Sequence, residues 1–263
     1  MRLNVKRVLV VGLGHVGKPL LKIVKGVYEA EGLDLYHRED LLDFKPDVLH
    51  ICYPWTEAFL AATNEYVTLF DPKLVLIEST VPPYTTQTVA KWNKIPLCHS
   101  PVRGRKADGW GWCFNAYTKF IGPVLPEYGR AAARYYQSLG FKTRVCRSPL
   151  ETEFMKLFST TYYGLLISWF QEVHRICTAF GVRESEVVEF IRTDETESGG
   201  LHRRPTFFPG VIGGHCVIPN AEMLNDVLRF HEHRSSRFIE ALLESNKKRK
   251  EELDGEKAGR RRR

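Results

Sequence analysis

The sequence predicts an α/β protein in two parts: a doubly wound parallel sheet at the N-terminus, then a mostly α-helical domain with one long central helix. Two observations support this prediction. Short apolar runs alternate with amphipathic segments over residues 1–148, which is the pattern of repeated strand–helix–strand units. From residue 149 the alternation stops, and residues 150–180 form one helical segment whose middle is apolar nearly all round.

Seven strands and at least four helices are expected in the first part, because each apolar run is short and is separated from the next by an amphipathic stretch. The second helix has Thr56 as its expected N-cap, and the fourth is expected to end at Gly140. The expected strands are 7–11, 33–37, 48–51, 74–77, 95–98, 119–121 and 143–146, and the expected helices are 16–29, 56–69, 85–92 and 127–139.

The long apolar helix defines the second part. It is expected to stop at Gly181, and a helix near 184–193, a glycine- and proline-rich loop and a last helix near 220–247 follow it. Because so apolar a helix must be buried, we expect it to lie inside a helical domain or against a second subunit. The central face of this helix is formed by Tyr163, Leu166, Trp169 and Phe170. This large apolar area predicts a homodimer.

The net charge of +7 lies mostly at the C-terminus. Residues 247–263 carry nine Lys or Arg against four Asp or Glu, a balance of +5, which leaves about +2 for the rest of the chain. A segment with almost no apolar residue predicts a disordered, solvated tail, and the nearly neutral body argues against nucleic acid as a partner. The expected organisation is therefore a sheet domain over 1–148, a helical domain over 149–246 and a charged tail over 247–263.

Secretion, membrane insertion and metal binding each lack a sequence signal. The N-terminus passes directly into a strand without a signal peptide, and the longest uncharged helical stretch, 157–171, is too short to span a bilayer. The six cysteines include no C-x-x-C pair, which is typical of reduced thiols. His215 and Cys216, combined with His202 or His174, fit no zinc spacing. We therefore expect a cytoplasmic protein without a metal.

A G-x-G-x-x-G turn follows the first strand directly and opens the first helix. Gly12 permits the tight turn, Gly14 lets a pyrophosphate approach the backbone, and Gly17 lets the helix pack closely on the strand. His15 and Val16 lie between these glycines and belong to the same expected contact surface. The context predicts a Rossmann site for a dinucleotide, with the pyrophosphate at the amino end of the helix.

The end of the second strand is expected to select the dinucleotide. Glu39 is placed to accept hydrogen bonds from both ribose hydroxyls of NAD, whereas Arg38 is placed to hold the 2′-phosphate of NADP. The acidic residue favours NAD over NADP. Tyr53 and Pro54 after the third strand, and Thr80 after the fourth, are expected to line the same cofactor.

Four segments, taken in order, resemble the UDP-glucose/GDP-mannose dehydrogenase family, and the short segment SPVR at 100–103 adds a fainter fifth likeness. The resemblance implies a Rossmann domain, a long central helix that forms a dimer, and the NAD-dependent double oxidation of a sugar-nucleotide primary alcohol through a cysteine thioester. The four segments are VVGLGHVGKPL at 10–20, LIESTVPPYTT at 76–86, ETEFMKLFSTTYYGLLISWFQEV at 151–173 and PGVIGGHCVIPN at 209–220.

The resemblance also implies roles for single residues. The catalytic cysteine of the family falls on Cys216, its lysine on Lys156 and its threonine on Thr80. The residues around Cys216 favour the same role independently: Gly213 and Gly214 leave room for a substrate carbon, and a cysteine at the start of a helix is favoured as a thiolate. The proposed substrate contacts are Arg103, Gly213, Gly214, His215 and Asn220.

Three positions depart from the family pattern. Val102 stands where the family has a glutamate, Thr160 where it has an asparagine, and Asn220 where it has an aspartate. The resemblance assigns those groups to proton transfer and thioester hydrolysis, so the second oxidation, and turnover itself, are in question. Only the charged tail follows residue 246, which implies a short form without the family's C-terminal nucleotide-binding domain.

Three functions therefore stay open at this point. The first is an NAD-dependent dehydrogenase for a sugar or sugar-nucleotide alcohol that uses Cys216 and Lys156. The second is a single-step β-hydroxyacid-type dehydrogenase, in which Cys216 only lines the pocket. The third is a nucleotide-binding or regulatory protein that has lost catalysis.

Overall fold

The computed structural model describes residues 3–34, 41, 43–104, 108–214 and 216–260. Two compact units are distinguished by their internal contacts, Met1–Lys156 and Leu157–Arg263. The division falls eight residues after the expected boundary at 148/149, inside the long helix.

The first unit contains a seven-stranded sheet, counted over the described residues, whose strand order is β2-β1-β3-β4-β5-β6-β7. Neighbouring strands run parallel except β5 and β6, which are antiparallel. The predicted doubly wound sheet is thereby confirmed, with one reversed neighbour. The strands are β1 (Arg7–Val11), β2 (Glu29–Leu33), β3 (Val48–Ile51), β4 (Leu74–Ile77), β5 (Leu97–His99), β6 (Lys119–Pro123) and β7 (Thr143–Val145).

Helices cover both faces of this sheet, and alternate residues of one strand pack into different layers. In β4, for example, Leu74 and Leu76 join one buried cluster, whereas Val75 and Ile77 join the other. Burial on both faces explains why the central strands are continuous apolar runs. The helices are α1 (Gly17–Lys25), α2 (Phe59–Phe70), α3 (Thr85–Asn93), α4 (Trp110–Ala116) and α5 (Pro126–Ser138).

The second strand lies four residues earlier than expected. Helix α1 ends at Lys25, because Gly26 and the next two residues close the turn with amide bonds to the carbonyls of Ile23 and Val24. The strand EAEGL is not an apolar run, so its sequence did not reveal it. Gly32 in this strand is required by packing, since a Cβ there would lie 2.6 Å from the Leu21 side chain.

Two helix predictions in this unit are also corrected. Helix α2 begins at Phe59 rather than at residue 56, and its N-cap position, Ala58, provides no side-chain cap. Thr56 instead accepts the Phe59 amide through its backbone carbonyl at 2.9 Å, so it forms the preceding turn. Helix α4 was not predicted, because its seven residues are too few to show a helical period.

A buried polar cluster joins three strands to α5. The Glu78 carboxylate is fully buried and accepts hydrogen bonds from Lys119, from the Tyr136 hydroxyl at 2.6 Å and from His50 Nδ1 at 2.9 Å. His50 Nε2 in turn accepts the Tyr135 hydroxyl at 2.7 Å. Burial alone would raise the pKa of Glu78, but the charge of Lys119 and the bond from His50 lower it to about 2. The carboxylate is therefore ionised and paired at neutral pH.

Lys119→Met is expected to destabilise the protein by about 3 kcal/mol or more at neutral pH, because it leaves the buried Glu78 charge without its cation. Urea unfolding followed by circular dichroism measures the loss. The double variant Glu78→Gln with Lys119→Met removes both charges and is expected to be more stable than Lys119→Met alone. A Lys119→Met variant as stable as the unaltered protein would contradict the ion-pair account.

Among the described residues after β7, the long helix is followed by three further helices. In chain order they are α6 (Pro149–Phe180), α7 (Glu184–Glu197), α8 (Val217–Glu232) and α9 (Arg237–Arg260). The helix expected over 220–247 is thus two helices, because His233 adopts a left-handed conformation with φ 51° and ends α8. Among the described residues no helix is long and apolar enough to cross a membrane.

The expectation of a disordered tail is wrong for residues 247–260, which continue α9. The physical reason lies in tertiary contacts that the composition does not reveal. Arg249 is buried, and Glu252 accepts a hydrogen bond from Arg175 of α6 at 2.6 Å. Burial would raise the pKa of Glu252, but the hydrogen bonds that its carboxylate accepts from Arg175 and Arg249 lower this pKa below its ordinary value.

Candidate functional site

The glycine turn lies at the carboxyl end of β1, where the chain order of the strands reverses and β1 has β2 on one side and β3 on the other. Open α/β sheets bind ligands at this edge and at this point. Gly12 has φ +92°, and a Cβ there would lie 2.5 Å from the Tyr53 amide nitrogen. A Cβ on Gly17 would lie 1.9 Å from the Gly12 carbonyl oxygen. Both positions therefore require glycine for the fold itself.

Gly14 differs from the other two glycines. Its φ is not in the left-handed region, and a Cβ there would meet no atom within 4 Å. The space above Gly14 is therefore open, as the approach of a pyrophosphate requires. Val16, at the N-cap of α1, provides no capping side chain, and the first turn of α1 contains no acidic residue. The amino end of α1 thus suits an anion.

The ends of β3 and β4 complete this edge. Tyr53 is half-buried, its hydroxyl lies 2.5 Å from Thr63 Oγ1, and burial raises its pKa, so the phenol stays neutral. The Ser79 hydroxyl donates to the Tyr53 carbonyl at 2.5 Å and ties the two strand ends together. Pro54 is exposed, and Thr80, directly after Ser79, is half-buried. These positions are open to a dinucleotide.

Some expected contacts cannot be placed. Glu39 and Arg38, which were expected to choose between NAD and NADP, lie outside the described residues, and so does His215. His15 is exposed on the glycine turn next to Gly14.

Buried Glu153, in the first turns of α6, caps α3. Its carboxylate accepts the backbone amides of Tyr84 at 2.8 Å and Thr86 at 2.9 Å, and also the Thr86 hydroxyl at 2.6 Å. Burial raises the pKa of Glu153, although these bonds from Thr86 and Tyr84 oppose the shift. Glu153 therefore fastens α6 to the segment that follows Thr80.

His99 forms a second link between α6 and the sheet edge. Its Nε2 donates to the Ser79 carbonyl at 3.0 Å, so Nδ1 accepts from the Thr152 hydroxyl at 2.8 Å. Burial lowers the pKa of His99 to about 3, which keeps the ring neutral. Gly122 provides room for this arrangement, because a Cβ there would lie 2.3 Å from Thr152 Oγ1. Sequence reasoning missed His99, Ser79 and Glu153. The signal for them was their position: His99 directly precedes SPVR, Ser79 directly precedes Thr80, and Glu153 lies three residues before Lys156.

Lys156 is half-buried, and its ammonium group donates to the Val102 carbonyl at 2.8 Å. Val102, at the position of the family's glutamate, is buried and provides only a backbone acceptor there. The lysine is thus held by a neutral group. Arg103 is exposed and stacks on two rings, with its guanidinium carbon 5.4 Å from the Tyr117 ring centre and 5.1 Å from that of Phe120.

The second unit places Cys216 at the N-cap of α8, where it is exposed. Gly214 before it has φ +83°, and a Cβ on Gly213 or Gly214 would meet no atom within 4 Å, so open space adjoins this segment. Asn220, one turn into α8, donates through its side chain to Thr160 Oγ1 of α6 at 3.0 Å. Thr160 and Asn220, which stand where the family has an asparagine and an aspartate, therefore contact each other. Both side chains are neutral. Over the described ranges, no group of three or more His, Cys, Asp or Glu is arranged to hold a metal ion.

The fold places the protein in a structural class: a dinucleotide-type parallel sheet joined to a helical unit through one long helix. Two solved structures share this arrangement. UDP-D-ManNAc dehydrogenase from Pyrococcus horikoshii matches with a TM-score of 0.77 and 18% identity over 95% of this chain and 70% of that chain. A UDP-glucose dehydrogenase from Pyrobaculum islandicum matches with a TM-score of 0.74 and 18% identity over 93% and 68%.

Sequence comparison adds a resemblance to one family. Residues 150–248 match the central domain of the UDP-glucose/GDP-mannose dehydrogenase family, and the resemblance to that family is thereby confirmed. The chain is 23% identical over 270 residues to UDP-N-acetyl-D-mannosamine dehydrogenase of Methanococcus vannielii, an alignment that covers 81% of this chain and 60% of the relative. The chain thus spans about 60% of the length of that relative.

Proposed function

We propose that the protein is an NAD-dependent oxidoreductase that acts on the primary alcohol of a sugar nucleotide or a related sugar. One observation carries the proposal: the segment that contains Lys156 and Cys216 matches the family's central domain, and it follows a glycine turn of the dinucleotide-binding type. The named relatives are dehydrogenases of sugar nucleotides.

The glycine turn holds NAD in this proposal. The open space at Gly14 and the amino end of α1 would hold the pyrophosphate. His15, Val16, Tyr53, Pro54 and Thr80 would line the cofactor, and Glu39 would select NAD over NADP. When bound, NAD accepts a hydride from the alcohol carbon. Gly12 and Gly17 contribute through the backbone geometry that opens this space.

Lys156 and Cys216 have separate roles in the proposal. The Lys156 ammonium stabilises the alkoxide that forms when the substrate hydroxyl loses its proton. The Cys216 sulfur adds to the aldehyde carbon that results from the first oxidation, and the aldehyde oxygen takes up a proton as the hemithioacetal forms. Arg103, Gly213, Gly214 and His215 contact the substrate in this proposal. The Asn220 side chain, also expected to do so, is buried and donates to Thr160.

A single oxidation is the second candidate, and one observation favours it. Asn220 and Thr160 form a neutral hydrogen-bonded pair, and Val102 contributes no carboxylate, so none of the three provides a general base for hydrolysis of a thioester. A β-hydroxyacid-type dehydrogenase has no need of that base.

A stoichiometry experiment tests the proposal. The purified protein is incubated with NAD and with UDP-glucose, UDP-N-acetylmannosamine or a β-hydroxyacid, and NADH formed is compared with the product identified by mass spectrometry. Two NADH per acid product support the double oxidation, and one NADH per aldehyde or keto product supports the single oxidation. Calorimetric binding of NAD without turnover of any of these alcohols would contradict both and favour a nucleotide-binding regulatory protein.

A homodimer built on α6 is the expected quaternary structure, since Tyr162, Trp169 and Ile176 recur every seven residues along α6 and are all exposed. Phe170, which was expected on this face, is buried inside the unit against Phe207, and this detail of the expectation is corrected. Light scattering at micromolar concentration is expected to give twice the chain mass of 30.3 kDa.

The matched control for the dimer replaces an exposed tryptophan elsewhere. Trp169→Asp is expected to give a monomer, whereas Trp92→Asp, which changes a similarly exposed tryptophan on α3, leaves the dimer intact. A monomeric mass for the unaltered protein would contradict the prediction.

A further inference from the structure

The loop before Cys216 is held by side chains rather than by regular secondary structure. Residues 203–213 belong to no helix or strand, yet four backbone groups of this loop are bound by three side chains from α6 and α9. Arg249 Nε donates to the Pro209 carbonyl at 2.7 Å, and Gln171 Nε2 donates to the Gly210 carbonyl at 2.7 Å. The Asn246 side chain accepts the Ile212 amide at 2.7 Å and donates to the Ile212 carbonyl at 3.3 Å.

The cost of burial indicates that these contacts are specific. Gln171 is fully buried, and the Arg249 side chain is 7% exposed, so each would be unfavourable without its partners. The Arg249 guanidinium forms an ion pair with Glu252, whose carboxylate lies 3.0 Å from Nη1. An arginine without a structural role would be expected on the solvent-exposed face of α9. Lys248 lies on that face, and 58% of its side chain is exposed.

A further layer of contacts fixes the three side chains themselves. The Ser245 hydroxyl donates to Gln171 Oε1 at 2.8 Å, and Arg175 binds the Ser245 carbonyl at 2.7 Å and Glu252 at 2.6 Å. These bonds hold α9 against α6 at the level of the loop. The side chains that bind the loop are therefore fixed in place before any substrate arrives.

The bound part of the loop ends close to the cysteine. Ile212 is buried and is the loop residue nearest to Cys216 that Asn246 binds, and α8 begins immediately after Cys216. Asn220 fixes the first turn of α8 through Thr160. Cys216 thus lies between two anchored positions of the chain, Ile212 and Asn220.

We propose that Asn246 and Arg249 of α9 are positioning residues, which hold the 209–212 loop so that the Cys216 sulfur stays at the amino end of α8. The proposal rests on the proposed function of Cys216 as the nucleophile. It assigns a role to the basic C-terminal segment, which acts as part of the scaffold for the reactive loop. Neither residue is expected to touch substrate or NAD.

The test compares two readouts in the full-length protein: hydrogen exchange of the peptide over residues 207–217, and the rate at which iodoacetamide alkylates Cys216. Asn246→Ala and Arg249→Met are expected to speed loop exchange by at least about tenfold. They are also expected to slow the alkylation by at least about threefold, because Cys216 is already exposed and a released loop only takes the sulfur away from the end of α8. A merely structural role would lower the melting temperature and leave the alkylation rate unchanged.

Two further variants sharpen the comparison. Asn246→Asp keeps an oxygen that accepts the Ile212 amide and is expected to lie between Asn246→Ala and the unaltered protein in both readouts. It also keeps the proposal testable if Asn246→Ala does not fold. Lys248→Ala removes an exposed cation from the same helix and is expected to change neither readout.

The outcomes separate this proposal from the proposed function. A fast-reacting Cys216 whose rate is unchanged in both Asn246→Ala and Arg249→Met would overturn the positioning role and leave the nucleophile intact. If Cys216 of the unaltered protein reacts no faster than free cysteine, the nucleophile fails, and loop exchange alone decides the proposal. Unchanged exchange in Asn246→Ala then overturns it, and faster exchange supports the anchored loop.

Discussion

Gly14→Val is expected to weaken NAD binding by at least about 100-fold, which corresponds to about 2.7 kcal/mol. The structure gives the reason: the position has no left-handed backbone requirement and a Cβ there meets only open space, the same space that a pyrophosphate needs. The unfolding free energy is therefore expected to change by less than about 1 kcal/mol, as for an exposed substitution. Calorimetry with NAD and chemical unfolding measure the two quantities.

The other glycines of the turn provide the contrast. Gly17→Ala forces a Cβ to within 1.9 Å of the Gly12 carbonyl, so it is expected to destabilise the protein as a whole rather than to affect binding alone. His15→Ala removes an exposed side chain next to Gly14 and serves as the control. It is expected to weaken NAD binding less than Gly14→Val does. Equal NAD affinity in Gly14→Val and the unaltered protein would remove the glycine turn as the cofactor site. Tighter binding of NADP than of NAD would overturn the preference assigned to Glu39.

The central strands could be predicted from the sequence because their burial is two-sided. Strands β1, β3 and β4 are predicted to the residue, since continuous apolar runs bounded by polar residues allow little freedom in where they begin and end. The prediction put strand β2 four residues too late. The segment EAEGL lies at the sheet edge and is held there by its pairing with β1 and by the packing of Gly32 against α1. Neither property is visible in a local pattern.

The residues of the candidate site likewise divide into those that a local sequence pattern reveals and those that it does not. The glycine turn and Cys216 could be found because their chemistry depends on local spacing and on the start of a helix. Glu153, His99 and Arg249 could not, because each acts through a partner that is at least 20 residues away in the sequence, namely Thr86, Ser79 and Pro209. The C-terminal segment is the clearest case: its composition indicates disorder, whereas its contacts with Arg175 and the 209–212 loop stabilise the helix.

Cys216 is expected to be the most reactive of the six thiols towards iodoacetamide at neutral pH. Access is the first reason: Cys216 is exposed, whereas Cys98, Cys113 and Cys177 are buried and Cys52 and Cys146 are half-buried. Charge is the second reason. Burial raises the pKa of Cys98, and burial together with the nearby Glu151 raises that of Cys146, so both thiols stay protonated. Cys216 instead lies exposed at the N-cap of α8, at the positive end of the helix dipole.

Labelling with limiting iodoacetamide, followed by peptide mapping, measures this order, and the expected ratio of Cys216 to any other cysteine is at least about tenfold. Cys216→Ser is expected to remove the fast phase and to abolish formation of an acid product. Cys146→Ser, the matched change at the half-buried cysteine that follows β7, is expected to preserve both. If Cys216→Ser still formed acid from a primary alcohol at the unaltered rate, the oxidation would not pass through a thioester on this residue. If another cysteine reacted first and Cys216 stayed unmodified, the single oxidation, which requires no nucleophilic thiol, would become the better account of the Thr160–Asn220 pair.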